Sequence, residues 1–479
     1  MSARRRELRF LLNDEEITLG DAGPGDSLLE FLRLRRGLCG TKEGCAEGDC
    51  GACTVLVGRL RSGEVRYEAV NSCIRLLPSL DGCHVVTIEH LAGPDGGLQP
   101  VQQAMVDCHA SQCGFCTPGI VMALYALWLE RPRPSDAEVR RALQGNLCRC
   151  TGYAPILRAA AAAADYGLPE TDDLVRNREA VAARLAVMAD GKRVELVGGG
   201  AVLPADADDL ADILLSEPGA TVVAGSTDVG VWVNKDLRDI APAVFIGHLG
   251  ELGRIAVDRE TIQIGAIASY SDVEAVLTET APGLAEYWNR IGGWQIRNMG
   301  TVGGNIANGS PIADLPPVLI ALGAELVLRK GKERRVLPLE AYFLDYGRQD
   351  RAPGEFVEIL RVPKPRAAAR FGFYKVSKRR EEDISSVCAG FMVHVRDGRI
   401  EEARLAFGGM AATPKRAEAA EAALRGQEWD GAAIEAAGRA LEQDFAPISD
   451  WRASAEYRAL IARNLLTRFH LDNAPAVSP

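Results

Sequence analysis

Residues 45–53 read CAEGDCGAC, three thiols in nine residues of a glycine-rich stretch. Cys45, Cys50 and Cys53 have the spacing C-x4-C-x2-C, and Cys73 follows at a distance. That is the plant-type [2Fe-2S] ferredoxin pattern. A cluster with four thiolates is an anion, so its loop must aim backbone N–H groups at sulphur. Gly44, Gly48 and Gly51 are expected to let the chain do so. A zinc knuckle would pair C-x2-C with a second such pair or with histidines nearby, and none lies adjacent. Spacing alone leaves the fourth ligand open between Cys73 and Cys83. Cys39, Cys83 and Cys108 belong to no pattern and are expected to be small buried apolar residues.

A second set follows in QCGFCTPG and NLCRCTGY: Cys113 with Cys116, and Cys148 with Cys150. Each pair stands immediately before a predicted helix, one opened by Pro118 and one following Gly152. Two helix N-termini would then direct free amides at one anionic centre. A lone C-x2-C could be a redox dithiol, but a second cysteine pair in the same position before a helix points to another four-thiolate site. Eleven of the twelve cysteines precede residue 151, and only Cys388 lies beyond. Thiols in this number, in a chain expected to be cytoplasmic, should be ligands and not disulfides.

The elements that must position these sets follow from pattern. LRFLLND-EEITLG reads as a hairpin turning at Asn13-Asp14. SLLEFLRLRRG reads as an amphipathic helix, with Ser27 as N-cap and Gly37 as stop. With CTVLVG and EVRYEAV as strands, the first 87 residues predict a β-grasp domain. Residues 88–165 turn helical (GIVMALYALWLE, SDAEVRRALQG), which predicts a helical-bundle cluster domain. Residues 166–195 read as helix plus linker, 196–366 as an α/β domain, and 367–479 as an α+β domain of strands followed by helices. The fold expected is thus α+β and multidomain.

Two loops in the α/β part, TVVAGSTDVGVWVNK and NMGTVGGNIANGSPIADLPP, are rich in small residues that let amides approach a diphosphate. Ordinary turns remain an equal reading. A Rossmann fingerprint is excluded, because Gly198-Gly199-Gly200 is followed by Leu203 where G-x-G-x-x-G needs glycine. The run Arg379–Asp383 reads equally as a solvated edge. A formal charge of -10 over 479 residues argues against a nucleic-acid or anionic-membrane partner. No apolar run approaches the roughly 18 residues of a span, and MSARRRELRF lacks a signal peptide's apolar core.

LCGTKEGCAEGDCGACTV, QCGFCTPG and NLCRCTGY together resemble the iron–sulphur portion of the molybdenum hydroxylase family. The resemblance implies Cys45, Cys50, Cys53 and Cys73 as ligands of one [2Fe-2S] cluster and Cys113, Cys116, Cys148 and Cys150 as ligands of the other. It makes the two small-residue loops FAD-binding segments: Val222, Val223, Ala224, Gly225, Ser226, Thr227, Asp228 and Val229 at the diphosphate, joined by Thr301, Gly303, Gly304 and Asn305. Asp314 matches an acid of the family motif, Lys375 a lysine near the flavin, and RLAFGGMAATPKRA the start of the family's flavoprotein C-terminal domain. Four departures stand out. Ala46 and Asp49 replace commoner glycines, Glu382 stands where animal members carry aspartate beside the flavin, and Ile291 where they have a ring-covering phenylalanine. The sequence leaves no room for a molybdenum domain, so that cofactor is expected on a larger partner subunit, in a heterotetramer of two small and two large chains. The implied activity is electron transfer from molybdenum through two clusters to FAD and NAD+ during oxidation of hypoxanthine or xanthine. The same portion of an aldehyde or N-heterocycle hydroxylase, or an autonomous NADH flavoprotein, are the other readings.

Overall fold

The computed structural model describes residues 4–93, 96–197 and 199–473, so Gly198 of the glycine triplet lies outside the described residues. The expected domains are distributed over two compact units, the first made of residues 1–213, 217–250 and 292–300 and the second of the remainder.

The first unit starts from the expected hairpin. Leu8–Leu12 pairs antiparallel with Glu15–Leu19, and Asn13 takes the left-handed turn position at φ 53°. Ser27 caps the following helix by accepting from the Glu30 amide at 3.2 Å; the helix continues as a wider π-turn to Arg35, and Gly37 at φ 69° ends it. The sheet runs Glu15–Leu19, Leu8–Leu12, Cys83–Val86, Thr54–Arg61, Glu64–Asn71, with a parallel pairing between Leu8–Leu12 and Cys83–Val86. This is the β-grasp arrangement. Alternation along its strands buries both faces. Leu8, Phe10, Val55 and Val57 face a core with Leu28 and Phe31. Leu11 and Leu56 face the opposite one, with Ile120 and Leu124 of the helix Thr117–Glu130. Each such side chain contributes about 1.5–3 kcal/mol on burial, so the sheet holds the helical bundle by ordinary apolar packing.

The expected linker contains a strand. Arg193–Glu195 pairs in parallel with Arg4–Arg5 and antiparallel with Ala201–Leu203, in a sheet completed by Ala243–Phe245 and Thr221–Val223. The short helix Trp294–Met299 also belongs to this unit.

The second unit contains two larger sheets. One is antiparallel: Ile255–Val257, Thr261–Gly265, Phe356–Pro363, Glu325–Lys330 and Glu333–Pro338. The other is a meander of Ala369–Val376, Val387–Arg396 and Arg399–Gly408, edged by Lys415–Arg416. Helices Glu418–Leu424, Gly431–Asp444 and Ala455–Asp472 cover that meander through a core that includes Phe391, Phe407 and Phe469.

Candidate functional site

The loop after Gly37 brings Cys45, Cys50, Cys53 and Cys73 together. Cys53 Sγ lies 3.3 Å from Cys73 Sγ, and Cys45 is in hydrogen-bonding contact with both Cys50 and Cys73. Cys83 points elsewhere, toward the Ser79 and Asp81 carbonyls. Among the described residues no three His, Cys, Asp or Glu side chains form a single-metal site. The four sulphurs form one connected group, Cys50 to Cys45 to Cys73 to Cys53, which suits a four-thiolate two-iron centre. Donation from Cys50 holds the Cys45 thiol well below its ordinary range, and donation from Cys73 lowers that of Cys53.

The amides that reach sulphur belong to Glu47 and Cys50 on Cys45, at 3.5 and 3.4 Å, to Ala52 on Cys50 and to Cys73 on Cys53. None of these donors is a glycine; Gly48 and Gly51, left-handed at φ 85° and 67°, turn the chain that presents them. Gly51, at φ 67°, turns the chain so closely against its neighbours that a Cβ would lie 2.0 Å from the Gly145 carbonyl. Ala46 holds a left-handed conformation at φ 56°, which costs an alanine about 1 kcal/mol. Cys39 is exposed and Cys108 half-buried, so only Cys83 of the three unpatterned cysteines is buried as expected. A cysteine without ligand spacing carries no sequence signal that separates a loop from a core.

In the helical bundle Cys113 contacts Cys150, and Cys116 contacts Cys148. The Phe115 amide is the main influence holding the Cys113 thiol low, while burial pushes Cys116 up to about 12. Cys116 is the N-cap residue of Thr117–Glu130, with proline in the first turn. The Cys148 loop is held by Tyr153, in a left-handed conformation at φ 68°, whose hydroxyl accepts from the Cys148 amide at 2.8 Å and donates to the Asn146 carbonyl at 3.1 Å. Cys113 and Cys150 are exposed, whereas Cys148 is buried.

The first unit also contains one small-residue loop. Val222 and Val223 end the strand Thr221–Val223; Ala224, Gly225 and Ser226 make the turn; Thr227, Asp228 and Val229 begin the helix Thr227–Asn234. Ser226 sits at φ 66°, 3% exposed, and its Oγ has no hydrogen-bond partner among the described residues. A Cβ on Gly225 would lie 2.0 Å from the Met299 carbonyl, so only bare backbone fits there. At the far end of that helix, Asn234 donates to the Cys73 carbonyl at 2.8 Å and the Ala46 carbonyl at 3.0 Å. The helix that carries the loop is therefore tied to a member of the first thiol set.

In the second unit Thr301 caps the helix Val302–Asn308 by accepting from the Gly304 amide at 3.1 Å, and Gly303 packs against the Ala266 backbone. Asn305 Oδ1 is buried without a partner among the described residues. Lys375, its side chain 1% exposed, pairs with Asp314 at 2.5 Å, and Ser385 donates to the same carboxylate at 2.5 Å. Glu382 is half-buried at φ 46°, with its carbonyl accepting from Arg379 at 2.6 Å. The charge run is divided: the Arg379 and Arg380 side chains are solvated, while the Asp383 carboxylate is drawn in, 14% exposed. Ile291 is buried in this unit's apolar core.

Three family models match: the [2Fe-2S] binding domain at residues 87–161, the FAD binding domain in molybdopterin dehydrogenase at 186–365, and the CO dehydrogenase flavoprotein C-terminal domain at 372–473. The chain carries the iron–sulphur and flavin domains of the molybdenum hydroxylase family. Among curated relatives, xanthine dehydrogenase of Emericella nidulans is 33% identical over 97% of this chain and 38% of its own length. Xanthine dehydrogenase/oxidase of Rattus norvegicus is 32% identical over 97% of this chain and 39% of its own length. The chain thus spans about two fifths of these relatives. Of the solved structures, a carbon monoxide dehydrogenase chain from Hydrogenophaga pseudoflava superposes with a TM-score of 0.53 at 28% identity, covering 56% of this chain and 93% of that one. A quinoline 2-oxidoreductase chain from Pseudomonas putida 86, at 22% identity, shares the fold.

A molybdenum hydroxylase of this kind binds [2Fe-2S] clusters and FAD, and the residues fit both. Eight thiols in contacting pairs suit the clusters. In the first unit the unsatisfied Ser226 Oγ, beside Gly225 backbone too crowded for any Cβ, suits a dinucleotide's polar groups, and in the second unit, taken by itself, so does the unsatisfied Asn305 Oδ1. Fully loaded protein is expected to contain four irons per chain and no zinc. Cys148→Ser should abolish one EPR signal and spare the other, since its contacts lie in the bundle. Loss of both signals from folded protein would contradict two separate sites.

Proposed function

We propose that this chain is the electron-transfer part of a xanthine dehydrogenase, working with a larger molybdenum-cofactor subunit in a heterotetramer and delivering electrons to NAD+. The observation that carries the reading is similarity along 97% of the chain to xanthine dehydrogenases of which it spans only about two fifths. The eight cysteines named above hold the clusters. Residues 222–229, together with Thr301, Gly303, Gly304, Asn305, Asp314 and Lys375, hold FAD. The clusters supply single-electron carriers, and FAD joins them to the two-electron chemistry of NAD+. The protein's part is spacing and electrostatics. Asn234, at the opposite end of the helix that begins in the loop at residues 222–229, donates to the Cys73 carbonyl, so one helix links that loop to the first thiol set. The Asp314–Lys375–Ser385 group fixes charge in the second unit.

The test compares xanthine with aldehydes and N-heterocycles in the assembled complex with NAD+, and assays the isolated chain for NADH–dye reduction. Xanthine turnover only in the complex, with dye reduction by the chain alone, supports the reading. Preference for an aldehyde or another heterocycle reassigns the substrate; xanthine turnover by the isolated chain defeats the division of labour.

Glu382 is the proposed charge that keeps the flavin working with NAD+ and not oxygen. A carboxylate near the ring disfavours further negative charge there. Glu382→Gln should therefore move flavin potential and the NAD+-to-oxygen rate ratio together. Both unchanged at normal FAD occupancy would place Glu382 on a solvated edge.

A further inference from the structure

The helix Thr227–Asn234 ends on a side-chain amide with two hydrogens, and both are used. Asn234 Nδ2 donates to the Ala46 carbonyl at 3.0 Å and to the Cys73 carbonyl at 2.8 Å. These acceptors belong to different segments, one beside Cys45 and the other at Cys73 itself. Residues 36–53, all of them described, form neither helix nor strand, and Ala46 is left-handed at φ 56°. Nothing local therefore fixes where the Ala46 carbonyl stands. What joins the two segments is the thiol set, in which Cys45 contacts Cys73. One nitrogen can reach both carbonyls only while that set holds them at this spacing. One turn earlier in the helix, a Cβ on Gly230 would lie 2.5 Å from the Ile74 carbonyl. Ile74 is fully buried, and its Cδ1 would meet a Cβ on Gly48 of the ligand loop at 2.6 Å. Helix, Ile74 and ligand loop thus touch without slack. An eight-residue helix of about 12 Å moves as one piece, so a shift at Asn234 is felt at Ser226 and Thr227.

We propose that Asn234 is a positioning residue that couples occupancy of the two sites, a coupling that rests on residues 222–229 being an FAD segment. A first cluster in place tightens FAD binding at that loop, and bound FAD in turn protects the cluster. Without the cluster, the Ala46 and Cys73 carbonyls are no longer held at one spacing. Asn234 then keeps only one of them, and the helix loses the anchor that sets the loop. Such coupling is reciprocal, and its usual size is about 5–150-fold in affinity.

The test uses the full chain, with FAD affinity measured by flavin fluorescence and the clusters followed by iron content and EPR. Cys45→Ser, lacking the first cluster, is expected to bind FAD roughly tenfold more weakly. Chain stripped of iron by a chelator and then reconstituted serves if that variant does not fold. Cys148→Ser, lacking only the second cluster, should bind FAD as the unaltered chain does. Asn234→Ala should show the same tenfold weakening with its clusters loaded, and adding Cys45→Ser should weaken it no further. A residue that only supports the fold would give additive losses. Saturating FAD should also slow loss of the first cluster's EPR signal to a chelator in the unaltered chain but not in Asn234→Ala. FAD affinity independent of the first cluster, or additive losses in the double variant, overturns the coupling. Ser226→Ala tells that failure from failure of the loop's assignment. Weaker FAD in this variant upholds residues 222–229 as an FAD segment whatever the coupling, whereas unchanged FAD affinity with the first cluster loaded removes both.

Discussion

Gly51→Ala is expected to cost the protein its first cluster, with iron falling from four toward two per chain. Gly51 is left-handed at φ 67°, and its Cβ would meet the Gly145 carbonyl at 2.0 Å and Asn146 Nδ2 at 2.6 Å. The conformation alone costs alanine about 1–2 kcal/mol, and overpacking against backbone adds about 1–3 kcal/mol. A carbonyl cannot swing aside as a side-chain end can, so the ligand loop must move. Two further variants separate the causes. Gly63 has φ 89° with open space around it, so Gly63→Ala imposes the strain without the clash and should retain all iron. Gly119→Ala keeps an ordinary φ but drives its Cβ to 2.1 Å from the Gly51 carbonyl, and should lose iron as Gly51→Ala does. Full iron and an unaltered EPR spectrum in Gly51→Ala would show that the loops are not packed this closely.

Asp314→Asn is expected to destabilise the second unit by about 3–5 kcal/mol, because it leaves a buried lysine cation without its counter-charge. Lys375 has 1% of its side chain exposed, and Asp314 is its salt-bridge partner at 2.5 Å. Denaturant unfolding followed by flavin fluorescence measures the loss. Adding Lys375→Met removes the stranded charge and should recover stability while FAD affinity stays low. A change below about 0.5 kcal/mol in Asp314→Asn, the range of ordinary surface substitutions, would mean that the pair is not buried.

What could be read from sequence was what is local. Seven of the eight cysteines proposed for the clusters stand in short spacings, and such spacings survive in one dimension; Cys73, 20 residues after Cys53, is matched only through the family resemblance. The hairpin at Asn13, the Ser27 cap and the strands flanking the first loop are likewise decided by neighbours in the chain. Asn146 and Gln295 are different: they meet across 149 positions, and nothing in NLCRC or GGWQIR marks either as a partner. The strand Arg193–Glu195 was hidden for a similar reason. Three residues are too few to show alternation, and one of the strand's two partners, Arg4–Arg5, lies nearly 190 residues away in the sequence. The expectation that glycines let the loop turn its amides toward sulphur has a physical basis at Gly48 and Gly51, both left-handed. The amides come from residues with side chains, and a glycine such as Gly51 provides the clearance.

The helix Trp294–Met299 has a consequence for biosynthesis. The last cluster cysteine, Cys150, leaves the ribosome well before the segment that supplies Gln295 and Arg297, which close over Asn146 and Gln144. At about 5–20 residues per second, roughly 7–30 seconds separate the two events. During that interval the ligand loops are assembled but not yet sealed, and this is when iron and sulphide have easiest access. A variant that delays the late segment would lengthen that interval, and should therefore carry no less iron than the unaltered chain.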